Sequence, residues 1–82
     1  MKTVKQIVKI EEEFITLGQF LKHVSVISTG GQAKWYLQEY AVYVDGELEN
    51  RRGKKLYDGT TIELPNEESI FVIHTHSEVE KT

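Results

Sequence analysis

The residues of this chain best suited to chemistry are cations and backbone amides at the start of a helix. Thr29-Gly30-Gly31-Gln32-Ala33-Lys34-Trp35 has the form of such a start. A helix N-terminus presents unpaired N–H groups and a partial positive charge, and it attracts phosphate. At Gly30 and Gly31 no side chain blocks the backbone, while Gln32 and Lys34 add an amide and a charge on or near the same turn. The alternative is that the glycines only permit a sharp turn into the helix, with Thr29 satisfying the helix's own amides. A second group, Arg51-Arg52-Gly53-Lys54-Lys55, sets four cations around one glycine. Such a cluster can neutralise several phosphates; as an isolated run it reads equally as a solvated loop that aids solubility.

Other chemistries find little support. The chain has no cysteine, so it offers neither a thiolate nucleophile nor a thiolate metal site. No nucleophile-elbow or P-loop pattern occurs. The carboxylates gather in polar runs, Glu11-Glu12-Glu13, Glu67-Glu68, and Glu78 with Glu80. His74-Thr75-His76 would set two imidazoles on one side of an extended strand, but two ligands without a third define no metal site. A solvated strand end is expected there, and His23 reads as a surface or helix-capping residue. The expectation is therefore no enzyme, no catalytic residue, no metal and no cofactor.

The elements that must position the cations follow from periodicity. Thr3 to Ile10 alternates, giving an edge strand with lysines on its open side. Thr16-Leu17-Gly18-Gln19 has the capping-box form, and Leu17, Phe20, Leu21 and Val24 line one face of a short helix. The same start signal recurs at Thr29 to Gln32, followed by the stripe Ala33, Tyr36, Leu37, Tyr40. By this wheel Trp35 lies opposite the stripe, either covered by another element or exposed as a platform for a base or a partner. Val42 to Val44 is a strand with Tyr43 outward, and Asp45-Gly46 is the type I′ hairpin signal before Glu47. Asn50 to Lys55 reads as a loop and Asp58-Gly59 as a second turn. Thr60 to Leu64 and Ser69 to His74 read as strands separated by Pro65-Asn66, and residues 75–82 as a polar tail. The fold class is α+β, two short helices packed on a small, mostly antiparallel sheet, in one domain over residues 1–82 with its core at 16–64.

Formal net charge is −3 over 82 residues. Nucleic-acid binders usually carry a basic excess, but between Leu17 and Tyr57 the local balance turns basic through the loop. No apolar run approaches the roughly 20 residues of a membrane span, and the lysines at positions 2, 5 and 9 interrupt any secretory signal. Absence of cysteine suits a cytoplasmic protein.

The order of these motifs resembles the S4 RNA-binding domain. Leu17, Phe20 and Leu21 match the apolar positions of its first helix, and Ala33 and Leu37 those of its second. Val42, Val44 and Gly46 match its Val-x-Val-Asn-Gly hairpin, with Asp45 in place of asparagine. Asp58-Gly59 stands, in reversed order, at its Gly-Asp turn. Thr29 to Lys34 together with Arg51 to Leu56 is similar to the small stand-alone bacterial S4 proteins. Gly30 replaces the arginine that often follows the capping residue, and Tyr40 replaces a glycine usual before the hairpin.

The resemblance implies an S4-like (αL) fold with added N- and C-terminal strands. It implies binding of structured RNA, ribosomal or transfer, in ribosome assembly or translation, with ribosomal proteins or a ribonucleoprotein as further partners and no membrane. Lys34, Arg51, Arg52, Lys54 and Lys55 would contact phosphates, Gly30, Gly31 and Gln32 would offer backbone or amide donors, and Trp35 and Tyr43 would be stacking candidates. The rival expectation is a protein-interaction adaptor on the same fold, favoured by the acidic flanks and by Trp35.

Overall fold

A computed structural model describes residues 4–75. In chain order it contains β1 (Val4–Ile10), β2 (Phe14–Thr16), α1 (Leu17–His23), α2 (Gln32–Glu39), β3 (Tyr43–Val44), β4 (Glu47–Leu48), β5 (Lys55–Tyr57), β6 (Thr61–Leu64), a 3₁₀ turn (Pro65–Glu67) and β7 (Ser69–Thr75). Five strands form one sheet in the order β1-β7-β6-β3-β4, and β2 pairs with β5 in a separate two-stranded ribbon. All pairs are antiparallel except β1 with β7, which run parallel from Val4 opposite Ser69 to Ile10 opposite Thr75. The strands near the two ends of the chain thus lie side by side, with β1 at the sheet edge as its exposed Lys5 and Lys9 suggest. Of the expected polar tail, Thr75 closes β7, and the remainder lies outside the described residues.

Both helices sit on one face of the sheet. Leu17, Phe20 and Leu21 of α1 and Ala33, Tyr36 and Leu37 of α2 are buried against Val8 and Ile10, Phe71 and Ile73, and Ile62 and Leu64. Burying side chains of this kind contributes about 1.5–3 kcal/mol each. Phe20 meets Phe71 edge to face, with ring centroids 5.2 Å apart. At the hairpin Asp45 and Gly46 have φ of 52° and 86°, the pair of positive values that a type I′ turn requires. The Asp45 carboxylate accepts from the Thr61 amide at 2.9 Å, which fixes the hairpin to β6.

The two expected capping boxes differ. At α1 the box is complete: Thr16 Oγ1 accepts from the Gln19 amide at 3.2 Å, and Gln19 Oε1 accepts from the Thr16 amide at 3.0 Å. At α2 the cap is Gly31, two residues later than expected, and no side chain caps it. The physical reason is the glutamine. Gln32 Oε1 takes the amides of both Ser28 and Thr29, at 2.6 and 3.0 Å, so the chain tightens into a turn before the helix begins. Thr16→Ala is therefore expected to cost about 1 kcal/mol, and Thr29→Ala much less. Paired thermal or urea melts of the two variants check this.

Tyr36 sets the alkaline limit of the fold. Burial, and next the Glu67 carboxylate 3.4 Å from its hydroxyl, push its pKa from 10.0 to about 12. The folded state holds this proton more tightly than the unfolded chain does. Its contribution is complete below pH 10 and is lost as pH rises toward 12. With one pKa unit worth about 1.4 kcal/mol, a shift of this size implies a loss of roughly 2–3 kcal/mol between these limits. Tyr36→Phe should lack it, so the difference in urea stability between wild type and variant should narrow with rising pH.

Candidate nucleic-acid interface

The basic loop is built onto the start of α1. With the Thr16 and Gln19 amides taken by the capping box, two further first-turn donors need partners. Leu17 N–H donates to the Lys54 carbonyl and Gly18 N–H to the Arg52 carbonyl, both at 2.8 Å. Gly18 makes this approach possible. A Cβ at that position would stand 3.4 Å from both the Cβ and the carbonyl oxygen of Arg52, and 3.5 Å from the Ala33 Cβ of α2. The loop, α1 and the first turn of α2 therefore meet around one glycine. The β2–β5 ribbon holds the far end of the loop, with Thr16 opposite Lys55 and Phe14 opposite Tyr57.

The cations of this loop are not equivalent. Arg51 makes a fork-like contact with Glu49, Nε to Oε2 at 2.9 Å and Nη2 to Oε1 at 3.3 Å, and its amide donates to the same Oε2 at 3.0 Å. These bonds hold the Glu49 carboxyl below the usual carboxylate range and raise the Arg51 guanidinium. Arg51 is thus compensated within the loop. Arg52, Lys54 and Lys34 form no ion pair among the described residues. Lys55 sets its ammonium 4.8 Å from the centroid of the Phe14 ring, a cation–π contact that leaves its charge uncompensated.

At the start of α2 the amides of Gln32 and Ala33 bond to the carbonyls of Thr29 and Gly30. The amides of Gly30 and Gly31 have no acceptor among the described residues, and both glycines are exposed. Neither adopts positive φ, and no atom lies within 4 Å of a Cβ placed at Gly30. Packing would thus tolerate a side chain at Gly30; what glycine provides is an uncovered backbone. The Gln32 side chain is committed to Ser28 and Thr29, so its carbonyl is not free for a ligand.

Residues 8–73 match the family model of the S4 domain. The chain belongs to the S4 domain family. It is 49% identical over 67 residues to the probable ribosome maturation protein RlbA of Bacillus subtilis (strain 168), an alignment that covers 82% of this chain and 94% of the relative.

In this S4 domain the anticipated site residues divide into three groups. Arg52 and Lys54 are tied to the start of α1 through their carbonyls, Lys55 follows in β5, and Gly30, Gly31 and Lys34 are exposed at the start of α2. Arg51 precedes Arg52 in the loop but is paired with Glu49. Tyr43 is not among them: Val42 and Val44 point into the core, and Tyr43, between them, faces the opposite side of the sheet. Trp35 is 52% exposed and meets Tyr40 edge to face at 5.9 Å; no terminal strand covers it among the described residues.

The periodicity analysis missed the β2–β5 ribbon, whose strands have three residues each. The signal was the alternation Lys55-Leu56-Tyr57, in which only Leu56 is buried. Through it Tyr57, 47% exposed, comes 5.7 Å from Phe14, the ring beneath the Lys55 ammonium. No helix among the described residues is long and apolar enough to cross a membrane.

Because Gly18 spaces the loop from both helices, a branched side chain there must displace one of them. Gly18→Val is expected to destabilise the domain by about 1–3 kcal/mol and to shift the amide resonances of residues 51–55. A melt combined with an NMR amide map checks this, and Gly53→Val, where a Cβ meets open space, is the control.

Proposed function

We propose that this chain is a non-catalytic module that binds structured RNA, ribosomal or transfer, and acts in ribosome maturation. The observation that carries this reading is the junction at Gly18. It packs Arg52 of the basic loop against Gly18 of α1 and Gly18 against Ala33 in the first turn of α2, the helix preceded by the open amides of Gly30 and Gly31, which supports a reading in which loop charge and backbone donors serve one phosphate-binding surface. Family membership supports RNA as the ligand, and likeness to a probable ribosome maturation protein supports the maturation role. A-form RNA is bound largely through its shape, phosphates and 2′-hydroxyls. Arg52, Lys54, Lys55 and Lys34 are the phosphate contacts in this reading, and Gly30 and Gly31 offer amides in place of the arginine common after the capping residue. Tyr57, beside Phe14 and Lys55, takes the stacking role anticipated for Tyr43.

An adaptor role is the second reading, favoured by the exposure of Trp35. It places the partner contact on Trp35, so Trp35→Ala should abolish a protein contact while RNA affinity is negligible in the wild type.

The deciding experiment is a titration with bulk ribosomal and transfer RNA at several salt concentrations. Log affinity should fall linearly with log salt, and each uncompensated phosphate contact removed should reduce the slope by about 1. Arg52→Ala and Lys55→Ala should each lower the slope. The double variant Arg51→Ala, Glu49→Gln removes the ion pair without leaving a free charge and should change the slope less than either, while Glu49→Gln alone should strengthen binding by freeing Arg51. Binding that is absent at low salt, or unaffected by salt, would sink the RNA reading.

A further inference from the structure

The helices cover one face of the five-stranded sheet and leave the other open. Strand register determines what that open face carries. Lys5, Ile70 and Glu63 form one row across β1, β7 and β6, and Ile7, Val72 and Thr61 form the next. Ile7 is 58% exposed, and Ile70 and Val72 are half-buried. A solvated sheet face normally carries polar residues, and a contiguous apolar strip on one marks a contact surface. Of the charges bordering this strip, Lys5 on β1 and Glu63 on β6 have opposite sign and sit on opposite sides of β7, while Lys9 on β1 and His74 on β7 lie in the following row. Neither Lys5 nor Glu63 forms an ion pair among the described residues.

We propose that a second copy of this chain packs on this face, sheet on sheet, about a two-fold axis running along the outer side of β7. Neighbouring strands lie about 4.8 Å apart, so Lys5 and Glu63 are about one strand spacing from that axis, on either side. A two-fold rotation about it exchanges the β1 side with the β6 side. Lys5 of each copy then stands opposite Glu63 of the other, and Ile70 and Val72 meet their own counterparts. Ile7 comes over Thr61. This is an isologous contact, in which one patch is complementary to itself, with the two sheets about 10 Å apart. Only three strands contribute, so the dimer is a weak one, below the size of a standard stable interface. The basic loop and α2 start lie on the helix side of the sheet, so each copy keeps them turned outward. The dimer therefore presents two such surfaces in opposite directions, whether or not they bind RNA.

Sedimentation velocity and NMR translational diffusion of the full chain, from about 20 µM to about 1 mM, test the proposal in the range where weak interfaces assemble. The wild type should pass from monomer toward dimer with rising concentration. Lys5→Glu or Glu63→Lys alone should abolish this shift, because each sets like charges face to face. The double variant should restore it, because the pair re-forms with reversed sign. All three changes are at exposed positions, and thermal melts verify that each variant is folded. A wild type that stays monomeric over the whole range leaves the face to another protein or to solvent and overturns the proposal. So does a dimer indifferent to the single variants, or one that the double variant fails to recover.

Discussion

A helix begins with amides that have no partner inside it, and in this chain the basic loop supplies two of the partners. The carbonyls of Arg52 and Lys54 satisfy α1, while the side chains of the same residues bring positive charge to a helix end that is already positive. The backbone contact stabilises and the side-chain charges oppose it. An anion bound there relieves the opposition, whereas water only screens it. The loop cannot move away to reduce this repulsion, because leaving would strand two donors of α1 and strain the β2–β5 ribbon. The fold thus keeps the loop cations close to one another and to the start of α1, and the proposed anion binding rests on that.

The charge total of the protein misleads for the same reason. A net charge of −3 describes a chain with acidic runs in the bend after β1 and in the turn after β6, away from the basic run at residues 51–55 in the sequence. Glu49 stands next to the basic run and holds Arg51. Its effect is selective. It cancels one cation, fixes the geometry of the loop where it leaves β4, and leaves Arg52, Lys54 and Lys55 to set the local field. A local field set by so few cations neutralises few phosphates, which in the proposed RNA-binding reading means weak non-specific affinity.

Period and capping made most of the fold legible. The stripe Leu17, Phe20, Leu21 and the capping box at Thr16 predict α1 closely, because both depend on residues within one helix. Asp45-Gly46 predicts its turn for the same reason. The start of α2 was placed two residues early, because Gln32 can serve Ser28 and Thr29 without Thr29 answering, and sequence spacing cannot tell the two cases apart. The β2–β5 ribbon and the parallel pairing of β1 with β7 are long-range, and no local pattern encodes them. Of the proposed site, the sequence offered the candidate cations and glycines. The pairing that removes Arg51 from it, and the sheet face that removes Tyr43, depend on partners that only the folded chain reveals.

The terminal strands explain how so short a central segment holds this surface in place. The hairpin strands β3 and β4 have two residues each, too few to fix the position of two helices. It is β7, between β1 and β6, that carries Phe71 under Phe20 and Ile73 beneath the helix layer. β1 then covers the outer edge of β7 with Val8 and Ile10 turned into the same core. The orientation of α1, and with it the position of Arg52 and Lys54, is therefore set by the strand pair farthest from the loop in sequence. Loosening that pair would blur the basic surface without touching any of its charges. The same pair carries the apolar strip on its outer side, so the strands that position the helices also determine what the opposite face can meet.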